Sequence, residues 1–221
     1  MIRRQSFYIV GVLLIILGIS MLFSVGCSLI YGDGDLIPLL QSIAVTITSG
    51  LILVIFFKSK DKKDLSTHDG FAVVTLGWIA IVIFSAFPFY FSGTLDYTNS
   101  FFEAMSGLTT TGATVLGHSS TLLIEDVPHG ILFWRSFTQF IGGMGIIVFS
   151  IAILPMLGMG GVQLFRAEVA GPAADKITPR VKQTAKLLWG IYVGFVLIET
   201  FVLRIEGMPW FDALCHSFGT M

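Results

Sequence analysis

The chain has 221 residues, of which 54% are hydrophobic and only 12% charged, and its mean hydropathy is +0.86. A soluble domain carries about 25% charge, so these numbers exclude an ordinary soluble enzyme and point to an all-α integral membrane protein. The formal net charge of −1 decides little, because the placement of cations, not their sum, sets orientation in a bilayer.

A spanning helix needs about 20 apolar residues. Residues 7–30 form the first such run. Arg3 and Arg4 precede it, and Val25-Gly26-Cys27 faintly suggests a lipoprotein cleavage site, but the run is long enough to span and a second follows at once. Tyr31-Gly32-Asp33-Gly34-Asp35 reads as a turn. The second span covers 36–57 and ends in a basic run from Lys58 to Asp64. The third covers 71–91, with Pro88 and an aromatic cluster near its far end. A short unit, 97–114, follows. The fourth span is 129–157, a polar loop with Gly and Pro covers 158–184, the fifth span is 185–203, and 209–221 closes the chain as another short amphipathic stretch.

The unit 97–114 carries the chemistry. Residues 97–108 form an amphipathic helix too short to span, and it runs directly into an extended Thr/Gly segment, Thr109-Thr110-Thr111-Gly112-Ala113-Thr114. Hydroxyl-rich, glycine-containing backbone is costly at membrane depth unless it lines a cavity or pore. Ion filters use extended backbone whose carbonyls replace the water shell of a cation. Carbonyls of Thr110, Thr111, Gly112 and Ala113 are the candidate ligands, with a Thr hydroxyl at the inner mouth, and Thr109 begins the segment. Gly112 suits the role because glycine reaches backbone angles that aim successive carbonyls one way. The short helix turns its negative carboxyl end toward the filter, and Asn99 or Ser100 caps its start. Glu103 has two open roles, lending negative potential to a vestibule or favouring the positive helix start.

Arg3, Arg4, Lys58, Lys60, Lys62, Lys63, Arg166, Lys176, Arg180, Lys182 and Lys186 fall on one side of the membrane if the spans alternate, and only Arg135 and Arg204 fall toward the other. This positive-inside pattern predicts a cytoplasmic N-terminus, with 97–127 and 205–221 outside. An isolated buried arginine is costly, so Arg135 needs a partner, and Glu103 and Glu199 are the candidates. Glu199 itself reads as a member of a structural ion pair rather than a proton-coupling group. Gly142, Gly143 and Gly145 favour close helix packing over a bend. His118, His129 and His216 lack metal-ligand spacing, and Cys27 and Cys215 make no framework.

An internal repeat runs through the chain. Trp78 recurs at Trp189, and Phe101-Phe102-Glu103-Ala104-Met105 recurs as Trp210-Phe211-Asp212-Ala213-Leu214, at spacings of 111 and 109 residues. Each repeat reads helix, pore helix, filter, helix, and two crossings per repeat make successive repeats parallel rather than inverted. The expected organisation is a leading helix pair over 1–64, a first repeat with its linker over 65–184, and a truncated second repeat over 185–221. One filter strand cannot surround an ion, so either several chains assemble or the chain is a piece of a longer protein, and the period favours the latter.

These residues resemble a known family. Met105-Ser106-Gly107-Leu108-Thr109-Thr110-Thr111-Gly112-Ala113-Thr114 is similar to the first pore loop of the Trk/Ktr/HKT superfamily of potassium transporters. The run Trp134-Arg135-Ser136-Phe137-Thr138-Gln139-Phe140-Ile141-Gly142-Gly143-Met144-Gly145-Ile146 resembles its next helix. Glu168-Val169-Ala170-Gly171-Pro172 with Lys176-Ile177-Thr178-Pro179-Arg180 is similar to the cytoplasmic linker of the TrkH branch, which also carries the leading helix pair. The resemblance implies four helix–pore–helix repeats in one polypeptide, of which this chain matches the N-terminal half. It implies potassium uptake across the bacterial inner membrane, with potassium bound at Thr109–Ala113 and selected by Gly112, where serine goes with sodium-conducting relatives. It implies as partners membrane lipid, the remaining repeats, a second copy in a homodimer, and a TrkA-like nucleotide-binding ring facing 158–184. Alternatives are a sodium- or proton-coupled symporter of the same fold, or a scaffold that binds nothing. No phosphate-cradling loop or nucleophile–base pair is present, so the chain is not expected to be an enzyme, to need a cofactor beyond the transported ion, or to bind nucleic acid.

Overall fold

A computed structural model describes residues 4–58, 67–117, 124–153 and 177–221. The basic run after Lys58, His118, and the linker residues 158–176 lie outside the described residues. All regular structure among the described residues is helical, and four helical stretches are long and apolar enough to cross a membrane: Arg4–Tyr31, Leu36–Phe57, Asp69–Phe91 and Gln183–Ile205. The chain forms two compact units, residues 1–140 and 141–221, each taken by itself below.

In the first unit, α1 (Arg4–Ser20) and α2 (Leu22–Tyr31) make one long apolar helix interrupted only at Met21. The hydrogen-bond ladder carries through, with the Met21 N–H on the Leu17 carbonyl at 3.1 Å and the Val25 N–H on the Met21 carbonyl at 3.2 Å. Gly32, at φ +73°, closes α2 by donating its N–H to the Ser28 carbonyl. Only glycine takes that angle freely. The chain then returns as α3 (Leu36–Phe57). Glycines set the distance between these helices: a Cβ on Gly11 would lie 2.8 Å from the Gly50 carbonyl, and one on Gly50 would lie 2.8 Å from the Gly11 carbonyl. Lipid offers no hydrophobic drive for helix association, so close backbone approach at small residues supplies it. Ser42 and Thr46 in α3 bond the carbonyls of Pro38 and Ser42 at 2.8 and 2.7 Å, so their hydroxyls enter the apolar phase satisfied.

The third span is a helix in two pieces. α4 (Thr67–Ser85) passes through Ala86 into α5 (Phe87–Phe91), with Pro88 in the first turn of α5, where its missing N–H costs nothing. The short helix is α6 (Tyr97–Leu108), with the bounds expected from sequence. Its 12 residues give about 18 Å of length, well short of the ~30 Å hydrocarbon core. A 3₁₀ turn at Ile124–Asp126 precedes α7 (His129–Ile153), whose 25 residues reach about 37 Å.

The second unit contains the rest of α7, then α8 (Ile177–Ile205) and α9 (Trp210–Thr220). Residues 177–184 were expected in a loop and are instead the start of α8. Pro179 misled that reading, yet it sits in the first turn, where a helix tolerates proline. The long-helix, short-helix order of the first repeat recurs in α8 and α9. Ala104 and Ala213, at equivalent places, are both fully buried. Glu103 and Asp212 are not alike, since Glu103 is buried and Asp212 exposed. α7 continues unbroken through its glycines, and a Cβ on Gly143 would collide with the Tyr192 hydroxyl of α8, so this glycine serves close packing.

Candidate filter site

α6 ends in a Schellman motif. The Thr110 N–H donates to the Gly107 carbonyl and the Thr111 N–H to the Ser106 carbonyl, both at 2.9 Å. Thr110 is the left-handed residue, at φ +54°, and it is the only non-glycine residue with positive φ among the described residues. Gly112 is at φ +73°, while Thr109 stays negative at −88°. The chain therefore leaves the helix in alternating senses, neither helix nor β-strand. Residues 109–114 are all exposed. Among the described residues no group donates to the carbonyls of Thr109, Thr110, Thr111 or Gly112, whereas the Ala113 carbonyl accepts from the Ser106 hydroxyl at 2.6 Å. The Thr109 hydroxyl donates back to the Met105 carbonyl at 2.8 Å and lies 2.8 Å from the Thr111 hydroxyl.

Behind this exposed segment is a buried polar clamp. Glu103, only 2% exposed, takes the Thr114 hydroxyl at 2.9 and 3.1 Å, the Val115 N–H at 3.0 Å and the Arg135 Nε at 2.7 Å. One carboxylate thus joins α6, the chain after the filter, and α7. Glu103 lies too far along α6 to serve its start, and its buried carboxylate makes the contacts just given, a role that the sequence reading did not foresee. Arg135 does pair with Glu103, one of the two candidates. Glu199 accepts instead from the Thr220 hydroxyl of α9 at 2.5 Å.

α7 supplies the rest of the backing. A Cβ on Gly107 would run into Thr138, so α6 and α7 touch backbone to side chain there. Trp134 is fully buried and donates its Nε1–H to the Ser85 carbonyl at 2.9 Å. The nearest atom to a Cβ built on Gly112 is the Gln139 amide nitrogen, at 4.0 Å. Asn99 and Ser100 do not cap α6. The helix starts after Asp96, so both fall inside it, and the Ser100 hydroxyl bonds the Leu95 carbonyl at 3.3 Å.

Sequence reasoning missed a second polar cluster, at the start of α7. Asp33 accepts from the His129 N–H at 2.9 Å and contacts its Nδ1 at 2.5 Å, and the His129 ring stacks on Tyr31 at 3.9 Å. These hydrogen bonds, the backbone one first, hold the Asp33 carboxyl below the usual aspartate range. Asp35, 2% exposed, accepts from the Ser28 hydroxyl and from the Ile131 N–H, the latter at 3.2 Å. Two acids in a glycine turn without a nearby base were the signal: such acids seek an amide-rich helix start.

A short helix abutting an exposed Thr/Gly segment, clamped from behind by Glu103 and α7 and accompanied by four helices apolar enough to span, defines a multi-pass membrane protein. The chain belongs to the TrkH family of cation transport proteins, which matches residues 39–221. The Trk system potassium uptake protein TrkH of Salmonella typhimurium is 44% identical over 216 residues, which is 96% of this chain and 44% of that protein. The protein of the same description from Vibrio parahaemolyticus is 40% identical over 221 residues, 99% of this chain and 44% of that one. The crystal structure of the potassium transporter TrkH from Vibrio parahaemolyticus aligns with a TM-score of 0.80 at 35% identity, covering 97% of this chain and 42% of that one. The chain thus spans somewhat under half the length of these relatives.

Proposed function

We propose that this chain forms the leading part of a potassium uptake protein of the bacterial inner membrane, and that residues 109–113 provide one of its filter strands. The observation that carries this reading is the exposed segment 109–112, whose carbonyls have no donors among the described residues and which is held from behind by Glu103. A dehydrated potassium ion needs such oxygens at fixed spacing. The carboxyl end of α6 adds about half an elementary negative charge facing the ion. Relatives named as potassium uptake proteins support the choice of ion, and Gly112 agrees with it. Thr110, Thr111 and Gly112 contribute carbonyls; Ala113 contributes one that already holds the Ser106 hydroxyl.

One strand makes a quarter of a ring, so the pore is completed by further repeats of the same kind. The positive-inside distribution of Lys and Arg supports a cytoplasmic N-terminus and an outer location for α6. By family likeness, a second copy and a TrkA-like nucleotide-binding ring complete the assembly, without a cofactor or chemical reaction in this chain.

The test is rubidium and potassium uptake in cells lacking their own uptake systems, using the full-length transporter that carries this sequence. Wild type restores growth on low potassium, and Gly112→Ser weakens uptake or admits sodium. Identical ion preference in the two proteins, at equal membrane amounts, would remove 109–113 from the selectivity element.

A further inference from the structure

We propose that Asp35, in the turn of the leading helix pair, is a positioning residue for the filter, acting through α7. The inference rests on the filter reading above. Asp35 stands at the start of α3 but makes no side-chain cap there. Its carboxylate is instead turned into the first turn of α7, where one oxygen takes the Ile131 N–H and the other the Ser28 hydroxyl of α2. It is 2% exposed, and Ile131 is fully buried. The approach is built in: a Cβ on Gly130 would occupy the space of the Asp35 carboxylate. Asp33 and Tyr31 hold His129 beside it, and Phe23 of α2 packs on Phe137 of α7 at 5.5 Å.

The same stretch of α7 holds the filter. Arg135 meets Glu103, Thr138 meets Gly107, and Gln139 faces Gly112. Between Ile131 and Gln139 the helix is unbroken and covers about 12 Å at 1.5 Å per residue, so an axial shift or rotation at its start is passed on to all three contacts. A helix start held by a buried carboxylate is fixed in both respects, because the donor N–H has a direction as well as a position. The leading pair is therefore more than an added membrane anchor: its turn sets the register of the helix behind the filter.

The experiment measures rubidium uptake and its inhibition by sodium in the full-length transporter, normalised to the amount of transporter in the membrane. Asp35→Ala is expected to lower the potassium-over-sodium preference about fivefold, the scale of one buried hydrogen bond, and to raise the apparent KM for potassium. Asp35→Asn keeps an acceptor for the Ile131 N–H and is expected to stay within about twofold of wild type. Gly130→Ala displaces the carboxylate without removing it and is expected to reproduce Asp35→Ala, which keeps the test open if Asp35→Ala does not accumulate. Unchanged preference and KM in Gly130→Ala, or in an accumulating Asp35→Ala, overturn the proposal, as does a loss that follows membrane amount alone. Gly112→Ser runs in parallel. If it alters ion preference while the Asp35 and Gly130 variants do not, only this inference fails; if it alters nothing, the filter reading fails and this inference with it.

Discussion

Thr110 holds a left-handed backbone angle that costs an L-residue about 1–2 kcal/mol, and its branched Cβ makes it a poor occupant of that region. The Schellman motif and the clamp behind it enforce the angle. Among the described residues nothing hydrogen-bonds the Thr110 hydroxyl or its carbonyl, and the reading proposed above assigns the ion to the carbonyl. Thr110→Val keeps the branching and loses only the hydroxyl, and it is expected to retain potassium uptake within about twofold; a tenfold loss would make the hydroxyl a ligand. Glu103 predicts the opposite behaviour. Glu103→Ala leaves Arg135 without its partner and frees Thr114 and the Val115 N–H. Removing one partner of a buried pair costs about 3–5 kcal/mol, and Arg135 retains 25% side-chain exposure, so the expected loss is about 2–3 kcal/mol. Thermal unfolding of the purified transporter reads the stability, and sodium inhibition of uptake reads the filter. Both are expected to worsen, and intact selectivity would show that the clamp holds the fold but not the filter.

At the scale of elements, α6 is placed by contacts that leave little room. Gly107 lies against Thr138, and Trp134 is locked to the Ser85 carbonyl. Gly107→Ala forces α6 away from α7, at about 1–3 kcal/mol for overpacking, and is expected to lower the thermal midpoint and reduce uptake together. Trp134→Phe preserves most of the apolar volume but orphans a buried carbonyl, for about 1–3 kcal/mol. It is expected to lower stability with ion preference unchanged, since the indole donates to the Ser85 carbonyl and packs on Phe137 rather than hydrogen-bonding the filter segment. A selectivity change in Trp134→Phe would assign α4 a part in shaping the filter. The bounds of α6 were legible in the sequence because a polar, amphipathic run of that length stands out between apolar spans. Its cap was not, because Asp96, Asn99 and Ser100 all favour helix starts and only the observed backbone, extended at Asp96, decides among them.

At the scale of the whole molecule, the turn at 31–35 joins elements 96 residues apart in sequence. Asp33 makes this joint sensitive to acid. Its carboxyl is held below the ordinary aspartate value, so its contribution to stability is fully present above that value and is lost as pH falls through the lowered one. The transporter is expected to show a stability step on the acid side, below about pH 4, that Asp33→Asn removes. Unfolding temperatures of both proteins across that range check it, and parallel curves would mean that His129 gains nothing from the charge.

The sequence by itself determined the membrane class, four of the five expected spans, the short helix and the Thr/Gly segment; the fourth expected span, 129–157, corresponds to α7, which is described only to Ile153. These follow from hydropathy, length and local residue type, which act over a few turns of chain. It narrowed the partner of Arg135 to two acids and could not choose, because pairing depends on which helices touch. Only the tertiary structure decided that Glu103 faces inward to join three segments, that Ser106 holds the Ala113 carbonyl, that residues 177–184 begin a helix, and that Asp33 and Asp35 serve α7. Each of those outcomes is a choice among several polar partners of similar local merit. At membrane depth the winning choice is the one that leaves the fewest buried polar groups unpaired, and that can be counted only once the helices are packed.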